Sequence, residues 1–181
     1  MQTFLPYPSY ERSADALDPR RLNKQILECV QIAKALTGET TSWANHCVTR
    51  MWREAPKGVV LFGLACCKEY RKRPQTRGHH KSEVELVRLL SVCERNGMTE
   101  NYPRWFNRHK IHEAYKKHLA SKDRYYIDLF GVEPEPGYWG VDKDGEWKLY
   151  ATGKSDNAPL RPKGGATAEP CSGVSGCSTG G

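Results

Sequence analysis

The sequence predicts an all-α protein: one compact domain of about four main helices over residues 1–150, a small C-terminal hairpin, and a flexible tail over 151–181. Three observations carry this. Apolar residues recur at helical spacing in several long stretches. Most of those stretches are bracketed by residues that start or stop a helix. Beyond Ala151 the chain turns to Gly, Ser, Thr, Pro and Asn with almost no large apolar side chains, so it cannot offset the entropy of ordering.

Residues 1–16 hold Phe4, Tyr7 and Tyr10 among prolines and read as an extended lead-in that packs on a core. The first helix runs over 17–36. Asp18 is its N-cap, Pro19 fills the first position where no donor is needed, and Gly38 ends it. Leu22, Ile26, Cys29, Val30, Ala33 and Leu36 form its apolar stripe. At about 100° per residue, Arg21, Lys24, Gln25 and Glu28 fall together on the opposite side, with Gln31 at the margin. Such a cluster is either a solvated face whose Lys24–Glu28 pair contributes only about 0.3–0.5 kcal/mol, or a carboxylate held ionised among cations that also receive phosphates. Periodicity does not separate the two.

Thr40 to Glu54 reads as a loop or broken helix carrying Trp43, His46, Arg50 and Trp52. Tryptophans there serve core packing more often than base stacking, yet the mixture with His and Arg could fill the gap left by an extruded nucleotide. Pro56 opens a second helix that is apolar nearly all round through Val59, Val60, Leu61, Phe62, Leu64 and Ala65, and therefore central. It ends in Lys68 to Arg73 before Pro74, where cations complement the helix dipole or meet phosphate. Gln75 to Lys81 is a basic loop. Ser82 and Glu85 have the spacing of a capping box for a third helix that stops at Gly97, with Val84, Val87, Leu89, Leu90 and Cys93 facing inward.

From Asn101, cations and rings interleave: Tyr102, Arg104, Trp105, Phe106, Arg108, His109, Lys110 and His112, then Lys122 to Tyr126. That mixture suits nucleic acid, because Lys and Arg neutralise phosphates while rings stack on bases. It also suits a fourth helix with Ile111, Tyr115 and Leu119 inward and a solvated cationic back. Gly137 to Tyr150 is the hairpin, with Asp144-Gly145 as a two-residue turn between aromatic arms.

Lys plus Arg outnumber Asp plus Glu by 28 to 21, a net charge of +7, which favours a polyanionic partner. With no apolar run of about 18 residues and no signal segment, neither a membrane span nor export is expected. The seven cysteines lack a paired framework and read as reduced core residues of a cytoplasmic protein, with Cys171 and Cys177 incidental in the tail. No metal and no cofactor is expected. His112-Glu113 opens like the zinc-protease signature, but position 116 is lysine and the next histidine is His118. The zinc-deaminase pattern is absent too.

Arg21-Leu22-x-Lys24-Gln25-x-x-Glu28, preceded by Leu17-Asp18, resembles the first helix of the pyrimidine-dimer DNA glycosylase family of the phage endonuclease V type. Asn45 to Trp52 resembles the Asn-His-Pro segment of bacterial relatives, with Cys47 where proline is usual. Met1 to Pro8 is similar to the opening of small bacterial and phage proteins loosely attached to that family, and Lys122 to Tyr126 resembles its aromatic, basic C-terminal region. The likeness spans roughly residues 1–130.

The resemblance implies a DNA glycosylase that excises a damaged or modified pyrimidine from double-stranded DNA and leaves an abasic site. Glu28 is its essential acid and Gln25 orients the attacking group or bonds base or sugar. The family's nucleophile is the chain's own α-amine, here of Met1 or of a processed Gln2, through a Schiff base that also permits strand cleavage by AP-lyase action. Gln2 departs from the small residue usual there. It disfavours removal of Met1 and argues for water activated by Glu28, with weak or absent lyase activity. Arg20, Arg21 and Lys24 hold phosphates, and His46, Arg50, Trp52, Arg104, Trp105, His109, His112, Lys122, Tyr125 and Tyr126 complete the DNA surface. A monomer is expected. The substrate is a pyrimidine dimer or a hypermodified phage base such as a glucosylated hydroxymethyl pyrimidine, the latter implying phage defence. The rival reading is a non-catalytic basic nucleic-acid-binding module.

Overall fold

A computed structural model describes residues 2–74 and 79–150, which build seven helices and one two-stranded hairpin. Four long helices carry the mass, as the periodicity predicts: α2 (Pro19–Leu36), α4 (Pro56–Lys72), α5 (His80–Arg95) and α6 (His109–Ala120). Three short ones, α1 (Tyr10–Ala16), α3 (Cys47–Met51) and α7 (Arg124–Phe130), connect them. The basic loop expected from Gln75 lies mostly outside the described residues, as do the tail and Met1.

Caps explain most boundaries. The Asp18 carboxylate accepts from the amides of Arg20 and Arg21 at 2.9 and 3.0 Å, which starts α2 where expected. Ser9 does the same for α1 by accepting from Arg12, so the lead-in is extended only as far as residue 8 rather than through 16. Asp123 caps α7 by accepting from the amide of Tyr125 at 3.1 Å.

α2 packs against both α4 and α5. Gly63 permits that approach, since a Cβ there would stand 2.9 Å from Cβ of Cys29 on α2 and from a methyl of Leu86 on α5. α5 departs from its expected pattern in two ways. It begins at His80, so Ser82 lies inside the first turn instead of capping it, and Glu85 is drawn to Lys34 at 2.6 Å and to Arg88 at 2.8 Å. It also buries Leu86, Leu89 and Cys93 while leaving Val84 and Val87 exposed, because its covered side is the one toward α2 and α4.

α6 buries Ile111, Tyr115 and Leu119 as expected, with His112 and His118 among them. The hairpin pairs β1 (Tyr138–Val141) with β2 (Trp147–Tyr150), Tyr138 facing Tyr150 and Val141 facing Trp147. Its turn is longer than the two residues predicted. Asp142 and Glu146 still pair at 2.9 Å, and the Asp142 carboxylate accepts from the amides of Asp144 and Glu146, which leaves three residues with Gly145 at φ +86°. β1 lies against α3 and α6. Cys29, Cys47, Cys66, Cys67 and Cys93 are buried free thiols, and no described helix is long and apolar enough to cross a membrane.

Candidate active site

Chain termini usually fray. Here residues 3–5 are inside the molecule, Thr3 and Leu5 with no exposed surface. Each is tied by a side chain from elsewhere. The Trp52 indole donates to Oγ1 of Thr3 at 3.2 Å, the amide of Phe4 donates to Oε1 of Gln25 at 2.7 Å, and Nδ1 of His112 lies 2.7 Å from the carbonyl of Leu5. Nε2 of Gln25 also faces the carbonyl of Gln2 at 3.5 Å, so one amide side chain acts as a strand partner for the segment. The N-terminal segment therefore runs across the side of α2 that periodicity assigns to solvent. Gln25 becomes fully buried and Glu28 only 5% exposed, instead of standing on an open polar face.

Glu28 is the chemically unusual member. Oε1 lies 3.7 Å from Nζ of Lys24, and the main-chain amide of Gln2 sits beside the carboxylate and favours its ionised form. Oε2 is buried with no hydrogen-bond partner among the described residues. Buried polar atoms are nearly always bonded, so an orphan carboxylate oxygen marks a functional candidate. Burial raises the pKa of Glu28, although Lys24, the amino-terminal charge and the Gln2 amide act the other way.

His118, which the sequence offered only as a misplaced zinc ligand, joins this group. Its Nδ1 accepts from the amide of Gly137 at 3.2 Å, which leaves the proton on Nε2, 3.1 Å from Oε1 of Gln2. Phe4 stacks on the ring with centroids 5.7 Å apart. Burial, with Lys122 and Arg21 nearby, pushes its pKa down to about 4, so the ring is neutral at ordinary pH.

The other expected residues divide. Lys24, Arg20, Lys122 and Tyr125 are exposed around this group or on the adjoining α7. Arg21 is half-buried: Nη1 bonds Asp18 at 2.5 Å, lies 3.8 Å from Asp123, and the guanidinium covers the Tyr126 ring at 5.1 Å. Tyr126 is fully buried and donates to Asp18 at 2.6 Å. Trp52 and Trp105 are core residues whose rings meet edge to face at 5.2 Å, the Trp105 indole donating to the Met51 carbonyl. His112 is buried between the carbonyls of Leu5 and Phe106. These four aromatic side chains are thus committed to packing, and the DNA surface expected of them is not available. His46 is also buried, its Nδ1 capping α3 by accepting from Val48 at 3.2 Å. Arg50 bonds the Val141 carbonyl at 2.7 Å and that of Asn45, which pins the hairpin to α3. Arg104 is exposed but pairs with Glu54 at 3.3 Å, and His109 is exposed beside Glu113. Trp43 is the exposed tryptophan of the 40–54 segment, 49% accessible and held at φ +66°.

A groove of about 300 Å³ between α6 and the hairpin is lined by His109, Lys110, Glu113, Lys117 and Trp139, and touches the Glu28 group only through Gly137. The concave surface and the orphan carboxylate are therefore separate features, and chemistry follows the carboxylate.

Residues 1–84 match the pyrimidine dimer DNA glycosylase family. The match takes in Gln2, Gln25 and Glu28, so this part of the chain is similar to that family. His118 and Gly137 lie beyond the family match. No curated protein and no solved structure matches the chain.

Proposed function

We propose that the protein excises a pyrimidine from duplex DNA at a pyrimidine dimer, acting as a monomer with Glu28 at the reaction centre. The observation that carries this reading is Oε2 of Glu28, buried and unpartnered among the described residues, with the Gln2 amide beside the carboxylate. A non-catalytic binding module has no use for a carboxylate kept at a desolvation cost.

Breaking the glycosidic bond leaves the electron pair on the base and positive charge on the sugar carbon. An ionised Glu28 beside that carbon stabilises the charge and accepts the proton released by the attacking group. The place of Gln2 beside Glu28 favours an α-amine as nucleophile. Adjacent backbone nitrogens are about 3–4 Å apart in any chain, so an α-amine one residue before Gln2 falls within reach of the same carboxylate. Were Met1 removed, the Gln2 nitrogen would itself be the amine. The long Gln2 side chain, which argued for water, is engaged by His118. The amine lone pair then forms the bond to the sugar carbon as the bond to the base breaks, and ring opening yields the imine that permits lyase cleavage.

Lys24, Arg20 and Lys122 supply phosphate contacts, and Tyr125 an exposed ring. Trp43 fills the gap in the stack, since its ring is half exposed on a left-handed residue and meets only the edge of His46 at 5.5 Å among the described rings. Incubation with ultraviolet-treated, unmodified and glucosylated phage DNA, scored for abasic sites, tests the assignment. Abasic sites on ultraviolet-treated DNA support it, release only from glucosylated DNA moves the substrate to a hypermodified phage base and a defence role, and release from none refutes it.

A further inference from the structure

We infer that His118 is a positioning residue for this reaction, acting through the Gln2 side chain to hold residue 2 in place beside Glu28. The inference rests on the glycosylase reading and deepens it.

Gln2 is engaged on three sides. Its amide sits beside Glu28, its carbonyl faces Nε2 of Gln25 at 3.5 Å, and its side-chain Oε1 meets Nε2 of His118 at 3.1 Å. The first two come from α2 alone and meet the main chain. The third comes from α6 and is the contact made to the Gln2 side chain, so it ties residue 2 to a second helix. His118 suits the task because its own orientation is fixed: the Gly137 amide occupies Nδ1, Phe4 stacks on one side and Tyr138 lies 6.1 Å away. The donor on Nε2 is therefore aimed and single-valued. Burial, helped by the neighbouring cations Lys122 and Arg21, keeps the ring neutral, so the donor does not change with pH in the working range. A glutamine at position 2, long enough to reach α6, is then a feature of the site.

A double-mutant cycle on the full chain tests this. The proteins are wild type, Gln2→Met, which keeps length and removes the acceptor, His118→Phe, which keeps the stack and removes both nitrogens, and the double variant. Single-turnover base release, affinity for a duplex holding a stable abasic analogue, melting temperature and the pH–rate profile are measured for each. Both single variants should lose about tenfold or more in rate with affinity within about twofold, and the double variant should be no slower than the slower single one. The acid limb of the rate profile should move to higher pH in all three, because Glu28 loses a main-chain donor that stabilises its ionised form. Ring ¹⁵N spectra of the wild type should show the proton on Nε2 of His118, with exchange faster in Gln2→Met. If His118→Phe does not fold, Gln2→Met decides alone. A wild-type rate in Gln2→Met, or losses that multiply in the double variant, overturns the inference while leaving the glycosylase reading intact. A wild type that releases no base removes both.

Discussion

Nζ of Lys24 stands 3.7 Å from Oε1 of Glu28, an exposed cation against a carboxylate whose other oxygen is buried and unpartnered among the described residues. A carboxylate serving the fold would have both oxygens bonded. Glu28→Gln should lower base release by orders of magnitude while DNA binding survives. Its effect on stability has a definite sign. Burial raises the Glu28 pKa, so the fold binds that proton more readily than the unfolded chain, and the ionised carboxylate weakens the fold at neutral pH. The penalty fades as pH falls through the raised value. Glu28→Gln should therefore melt no lower than wild type at pH 7, and a clearly lower melting temperature would make Glu28 a structural residue.

His118 titrates with the opposite sign. Its pKa in the fold is about 4 against 6.5 for the free side chain, so on acidification the unfolded chain takes up the proton first. Stability is lost between about pH 6.5 and about 4, by up to about 3 kcal/mol from this residue. Urea melts at pH 7, 5.5 and 4.5 should fall more steeply for wild type than for His118→Phe. Parallel slopes would show that another group controls acid sensitivity.

The four long helices were legible because caps and periodicity are local. The burial of Gln25 was not, since projecting a helix as a lone cylinder cannot show that residues 2–5 lie across its polar side. Trp52 and Trp105 turned inward because their indole nitrogens meet Thr3 and the Met51 carbonyl, partners 49 and 54 residues away in sequence. His118 was missed for the same reason, its partner Gln2 being 116 residues distant. The available signal was chemical: a histidine on the inner face of an amphipathic helix, spaced wrongly for metal, needs some other bond.

Salt dependence should separate Arg21 from Lys24. Arg21 is engaged by Asp18, Asp123 and the Tyr126 ring, so Arg21→Ala should chiefly destabilise the start of α2. Lys24 is exposed, and Lys24→Ala should reduce the slope of log affinity against log salt by about one unit. Replacing both should therefore flatten the slope by about one unit, where two free phosphate ligands would give about two. A two-unit change would return Arg21 to the phosphate contacts.

Trp43 at φ +66° carries strain of roughly 1 kcal/mol that glycine would relieve. Trp43→Gly should melt slightly higher than wild type yet release base more slowly from duplex than from single-stranded substrate. A 2-aminopurine placed opposite the lesion should also brighten less on binding. Equal rates on both substrates would return Trp43 to an ordinary surface residue.

The central claim is that residue 1 or 2 and Glu28 form one reaction centre, and borohydride trapping on a duplex holding a single pyrimidine dimer tests it most directly. The account predicts a covalent protein–DNA adduct that maps to residue 1 or 2, is lost on blocking the N-terminus, and is absent with Glu28→Gln. A folded, DNA-bound wild-type protein that yields no adduct, whether or not abasic sites form, would contradict it.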